Sequence, residues 1–329
     1  MSVSATSASA PVSLESIREA ARLLAGVAVR TPMVRCSGQG VPWPPTLEVY
    51  LKCEHLQPIG AFKVRGAHTA IARLDAARRA AGVVTSSSGN HGQAVAWVAQ
   101  RFGIRSVIVM PESAPAVKVA GVRRHGGEVV FAGAARSAEQ QLRAERFAAE
   151  EGLTMIPPFD HVDVIAGQGT VGLEILEQVP GVATVLVPVG GGGLLSGITT
   201  AITSLRPDVT IIGVEPAGAP KLSAALAAGH PETLGATASL ADGLLTRSIG
   251  ALPWALIEPH VHRAITVTEA EIAAAVRFLF ETQGLVVEPS GAVTVAALLA
   301  GKVSSAGPVV AVVSGGNVDP EVFQRLVQA

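Results

Sequence analysis

Lys63 stands in the run Gln57-Pro58-Ile59-Gly60-Ala61-Phe62-Lys63-Val64-Arg65-Gly66-Ala67, among small and apolar residues, where a helical pattern opens. Burial disfavours an ammonium, and so does the positive end of a helix, so a lysine here is pushed towards the free amine that Schiff-base chemistry needs. Taken alone, a lysine at such a place is more often a solvated surface charge. Three further runs change the balance. Ser86-Ser87-Ser88-Gly89-Asn90-His91-Gly92-Gln93 follows a short strand and opens a helix. One serine there would serve as a cap, but the whole polar cluster exceeds what capping requires. Gly190-Gly191-Gly192-Gly193-Leu194 follows the apolar run Thr184–Val189. Its backbone N–H groups can converge on an anion with the next helix dipole behind them. The run has neither the G-x-G-x-x-G spacing of dinucleotide binders nor the G-K-[ST] of a P-loop, so it suits a single phosphate monoester. Ser314-Gly315-Gly316-Asn317 closes the last apolar run, where the Ser314 hydroxyl can bond a heterocycle nitrogen. One amine, one glycine cradle and two polar loops together describe a site for a phosphorylated heterocycle that carries an aldehyde.

The elements that must position these runs are legible as alternating periodicities. Strand-length apolar runs are expected at 48–53, 83–86, 105–110, 128–131, 154–156, 184–189, 210–215 and 309–313, and helical patterns at 62–79, 91–102, 116–125, 137–150, 169–178, 269–283 and 290–300. Val- and Ile-rich strands alternating with helices predict an α/β fold with a mainly parallel sheet covered on both faces. Ligands of such sheets bind beyond the carboxyl ends of the strands, which is where the polar loops fall. The composition agrees: 49% of the 329 residues are hydrophobic and 16% are charged, enough apolar material for a sizeable core. The formal net charge of −1 argues against a nucleic-acid partner. Runs of apolar residues fall short of a membrane span, so no membrane association is expected. Met1–Pro11 is small and polar and reads as a disordered tail rather than a signal peptide. Two cysteines, Cys36 and Cys53, make no disulfide framework, and a cytoplasmic location follows as the expectation.

The motifs GAFKVRGA, SSGNHGQA, VGGGGL and SGGN, in this order, resemble those of the fold-type II pyridoxal-phosphate enzymes, which share the tryptophan synthase β-like fold. The branch they are most similar to is that of threonine and serine dehydratases, serine racemase and hydroxyaspartate dehydratases. The resemblance runs from about Thr31 to Asp319 and takes in VIAGQGT (164–170), Ala241-Asp242-Gly243 and VEPSG (287–291). It implies two lobes, each with a mainly parallel twisted sheet flanked by helices: a large lobe from 1–77 and 160–329, and a small lobe from 78–159. It implies pyridoxal 5′-phosphate as cofactor, a small amino-acid substrate and a homodimer. Carried over by position, Lys63 would hold the cofactor and act as catalytic base. Phe62 would pack beside the cofactor, and Asn90 would bond its phenolic oxygen. Gly190, Gly191, Gly192, Gly193 and Leu194 would hold its phosphate, and Ser314 would meet its ring nitrogen. Ser87, Ser88, Gly89, His91 and Gln93 would surround the substrate carboxylate. The reaction implied is loss of water and then ammonia from a 3-hydroxy amino acid, giving a 2-keto acid.

Two residues pull in different directions. Ser88 matches the serine that serves the racemase as a second acid/base, so racemisation is an alternative. Phe159, in Pro157-Pro158-Phe159-Asp160, is similar to a stretch of the threonine dehydratases and favours elimination. Several relatives hold a divalent cation through a glutamate, a backbone carbonyl and an aspartate. Glu215 and Ala219 match the first two, but Lys221 stands third, where an ammonium would repel the ion and could pair with Glu215; no metal is expected. Asp160-His161-Val162-Asp163 reads as a solvated loop, and His260 and His262 as a strand edge. A β-replacement enzyme is disfavoured by SSGNHGQ in place of its TSGNTG-like loop, and a non-catalytic binding protein by the intact Lys63. Threonine, serine, 3-hydroxyaspartate and phenylserine all stay open as substrates. Few basic residues lie in the motif loops, which disfavours a second substrate carboxylate; Arg65 is the exception, and in the resemblance it is a feature of the whole family.

Overall fold

The apolar runs assemble into two sheets in a computed structural model that describes residues 12–37, 40–134, 138–261 and 263–328. The expected tail at 1–11 and His262 lie outside the described residues. In chain order the elements begin with α1 (Leu14–Leu24), β1 (Met33–Arg35), β2 (Val49–Lys52), α2 (Lys63–Ala72), α3 (Ala76–Ala81), β3 (Val83–Ser86) and α4 (Asn90–Phe102). They continue with β4 (Ser106–Met110), α5 (Ala116–Arg124), β5 (Glu128–Phe131), α6 (Ala138–Glu151), β6 (Thr154–Met155), α7 (Val162–Gln178), β7 (Thr184–Pro188) and α8 (Gly193–Thr203). The chain ends through β8 (Thr210–Pro216), α9 (Lys221–Ala228), α10 (Ala251–Ile257), β9 (Ala264–Val267), α11 (Glu269–Gln283), α12 (Pro289–Leu299), β10 (Val309–Val312) and α13 (Pro320–Gln328).

The larger sheet runs β1-β2-β10-β7-β8-β9 and the smaller β5-β4-β3-β6. Within them β1 and β2 pair antiparallel and every other pairing is parallel. A parallel strand needs cover on both faces, and alternate side chains supply it. On β7, Leu186 enters one apolar cluster with α11 and α12, while Val185 and Val187 enter another with α7 and α8. On β10, Val309 and Ala311 join the first cluster, Val310 and Val312 the second. The smaller sheet has its own two clusters, one around Ile108 and Val95 and one around Val107 and Phe147.

Helix α2 ends at Ala72 rather than running on to 79, because Asp75 caps a separate short helix through the Arg78 N–H at 2.8 Å. Helix α7 starts seven residues before the expected 169, capped by His161. The run 160–163 is no solvated loop. Asp160 accepts from the N–H groups of Ala251 and Leu252 at 3.0 Å each and so caps α10, and Asp163 pairs with Arg73 at 2.6 Å.

Candidate active site

The carboxyl ends of β3, β4, β7 and β10 open on one cavity of about 220 Å³. Lys63, the first residue of α2, stands in its wall. Its Nζ donates to the Pro158 carbonyl at 2.7 Å and lies 5.2 Å from the Phe62 ring centre. Desolvation brings this amine down to about 8 from its ordinary 10.5.

Across the cavity, Gly190 to Gly193 connect β7 to α8. Among the described residues no acceptor stands opposite the N–H groups of Gly191, Gly192, Gly193 and Leu194, as expected of a helix start that faces a ligand. The loop can approach so closely because it is glycine. A Cβ at Gly191 would run into the Phe159 ring, and Gly192 has φ +95°. These free amides, the buried amine and the close-packed glycine backbone fit a phosphorylated aldehyde.

Asn90, the first residue of α4, has a fixed orientation. Its Oδ1 accepts from Asn317 Nδ2 at 2.9 Å and its Nδ2 donates to Glu288 Oε1 at 2.6 Å. One amide N–H is left for the cavity. Glu288 is itself buried. Burial first, then the charge of Asp242, push its carboxyl up to about 7 against the opposing pull of Lys118 and the Asn90 bond. Ser87 stands two residues before the N-cap Gly89 and steadies the start of α4: its hydroxyl oxygen accepts from the N–H groups of Gly89 at 3.3 Å and Gly92 at 3.1 Å. Ser88 and Gly89 line the cavity, as do Phe62, Leu194 and Ser314. His91 also lines it, with Nε2 3.0 Å from the Ile156 carbonyl, while Nδ1 has no partner among the described residues. Burial and the neighbouring Lys63 charge press this imidazole down to about 3, so it stays neutral.

Gln93 falls elsewhere. Its side chain packs against Gly121 of α5, behind α4, and it does not line the cavity. Three helix positions after Asn90, it lies almost a full turn further along α4, at the level where that helix packs on α5, a depth that the motif alone does not reveal. Arg65 is likewise unavailable to a substrate. It is buried behind Lys63 and bonds Glu54 at 2.8 Å and Glu174 at 2.6 Å. Lys118, Asp242, Thr246 and Glu288 line the cavity without having been singled out from the sequence. Glu288 and Asp242 lie inside quoted motifs, which was a usable signal. Lys118 and Thr246 carry none, since an isolated lysine or threonine has no pattern.

The family of pyridoxal-phosphate-dependent enzymes matches residues 24–315, and the chain belongs to it. Within that family it is a fold-type II enzyme of the branch that holds threonine and serine dehydratases and serine racemase, and its cofactor is pyridoxal phosphate. An L-threonine ammonia-lyase of Thermotoga maritima is 43% identical over 96% of this chain and 78% of its own length. An L-threo-3-hydroxyaspartate ammonia-lyase of a Pseudomonas species is 38% identical over 96% and 98%. The solved structure of maize serine racemase superposes with a TM-score of 0.91 at 38% identity, covering 96% of each chain.

Proposed function

We propose that this enzyme is an ammonia-lyase that converts a 3-hydroxy L-amino acid of the threonine or serine type to a 2-keto acid and ammonia. The observation that carries this reading is Lys63: a desolvated amine near pH 8, hydrogen-bonded to a carbonyl rather than a carboxylate, across one cavity from a run of free backbone amides. Pyridoxal phosphate supplies an electron sink for the electrons left when a bond to the substrate α-carbon breaks. The chain's residues do the rest. The glycine loop and the start of α8 would hold the phosphate, and the remaining N–H of Asn90 would bond the phenolic oxygen. The Ser314 hydroxyl would face the ring nitrogen and, being a hydroxyl rather than a carboxylate, would leave it unprotonated, a weak sink that would favour loss of the β-hydroxyl. The start of α4, with Ser87, Ser88, Gly89 and His91, orients a carboxylate through N–H groups and hydroxyls. Lys63 would be the base that takes the α-proton, and its amine, lowered to about 8 by desolvation, suits that role near neutral pH.

A second reading is racemisation of serine, supported by Ser88 in the cavity wall and by the maize relative. The reading further takes 78–159 as a small lobe and the enzyme as a homodimer, with a cytoplasmic location in keeping with two free, buried cysteines. The test gives purified holoenzyme L-threonine, L-serine, 3-hydroxyaspartate and phenylserine in parallel, and assays keto acid and inverted amino acid. Keto acid from one substrate, absent with Lys63→Ala, is the expected result. Inverted amino acid with little keto acid would replace the lyase by a racemase.

A further inference from the structure

A second lysine, Lys221, is wholly buried at the start of α9. Its Nζ donates to the carbonyls of Ala219 and Leu244, each at 2.9 Å, with Glu215 Oε2 at 3.8 Å. Glu215 is already occupied as the cap of α9. Its Oε2 accepts from the Leu222 N–H at 2.8 Å, and its Oε1 from the Ser223 N–H at 2.8 Å and the Ser223 hydroxyl at 2.7 Å. An ammonium at a helix start opposes the dipole, and burial disfavours it further, so α9 gains little from a lysine here. What the side chain has is reach. Leu244 belongs to the segment 241–246, which gives Asp242, Gly243, Leu244 and Thr246 to the cavity wall. The same segment is held from the other side by the Gly243 N–H on Ser290 Oγ at 2.8 Å.

We propose that Lys221 is a positioning residue, a built-in cation whose ammonium ties the cavity-wall segment 241–246 to the corner between β8 and α9. Three oxygens, one of them a carboxylate, surround the charge, and two distant parts of the chain are drawn to it. The inference goes beyond the reaction proposed above and stands whichever amino acid is the substrate.

The test compares wild-type holoenzyme with Lys221→Met and with the double variant Lys221→Met/Glu215→Gln, which removes both charges and keeps the volume. Two quantities are read: amide hydrogen exchange at 241–246, and the rate at which bound pyridoxal phosphate dissociates into a trap. The expected result is exchange at 241–246 faster by roughly tenfold or more in both variants, with α7 and α8 unaltered and cofactor release quickened by a similar factor. Wild-type exchange in either variant overturns the proposal. So does recovery in the double variant, because the ammonium would then serve only to balance Glu215, and so does a rise spread evenly over the molecule. Should the single variant fail to fold, the double variant decides alone.

Discussion

Lys63 and Glu288 are displaced from their ordinary protonation by the same cause, burial, and each gives a measurable consequence. With its amine near 8, about a tenth of Lys63 is free base at pH 7, against well under a thousandth for an unshifted lysine. The rate at which apoprotein takes up pyridoxal phosphate should therefore climb with pH and level off above about 8. A rise that continued unbroken past pH 9.5, followed by stopped-flow absorbance, would show the amine to be solvated. Lys63→Ala should lower keto-acid formation by roughly a thousandfold or more, the scale of a lost general base. Glu288 is an acid raised from 4.5 to about 7, so the fold favours its protonated form. That contribution to stability is full below pH 4.5 and is lost as pH rises through 7. Glu288→Gln should flatten the fall of the apoprotein's denaturant midpoint over this window while keeping a carbonyl for Asn90. Glu288→Ala should instead free the Asn90 amide to turn and weaken cofactor binding by about 1 kcal/mol, read by equilibrium dialysis. An unchanged dissociation constant for Glu288→Ala would mean that Asn317 alone sets the amide.

At the scale of elements, strands were easier to read than helices. The run at 83–86 coincides with β3, and 184–189 overshoots β7 by one residue, because a buried parallel strand is a continuous apolar run; 128–131 coincides with β5, an edge strand exposed at both ends. Helix α7 was under-read by its first seven residues, where Gly167 looks like a breaker; in the fold Gly167 and Gly169 mark close approach. A Cβ at Gly169 would meet the Gly197 carbonyl, and one at Gly197 the Ile165 carbonyl and the Gly169 N–H. Helices α9 and α10 and strands β1 and β9 are short, and no long period announces them, whereas α1 and α13 are strongly amphipathic and their period was legible. For α1 the capping box of Ser13 and Ser16 was a local signal within reach. Two substitutions test the close approaches. Gly197→Ala should destabilise the protein by about 3 kcal/mol, since backbone on both sides cannot yield. Gly191→Ala should leave the denaturation midpoint nearly unchanged and raise the cofactor dissociation constant roughly tenfold, because the new methyl displaces Phe159 and with it the phosphate loop. Adding Phe159→Leu should recover part of that affinity. If Gly191→Ala binds cofactor normally, the glycine serves something other than close approach.

At the scale of the whole molecule, the site residues come from segments more than 250 residues apart, and an order of motifs does not say what braces them. The brace is a buried cluster behind Lys63. Arg65, two residues on, forks to Glu54 and Glu174 and donates to the Val29 carbonyl at 3.2 Å, while Lys52 reaches Glu174 at 2.5 Å and the Thr31 carbonyl at 2.9 Å. Two cations and two carboxylates balance within it, so α2, α7, β2 and the segment near Val29 are locked together without net charge. The sequence marked Arg65 only as a basic residue beside the lysine; its role depends on Glu174, 109 positions away. Removing one member leaves carboxylates buried without their partner, and Arg65→Met should destabilise the fold by about 4 kcal/mol. Arg65→Lys should recover little of this, because a single ammonium cannot bridge two carboxylates and a carbonyl as the planar fork does. Both are read as shifts in denaturant midpoint on apoprotein, where the cofactor cannot mask the loss by mass action. A lysine variant as stable as wild type would reduce the cluster to simple charge balance, and Lys63 would then owe its placement to the packing of α2 on α7 alone.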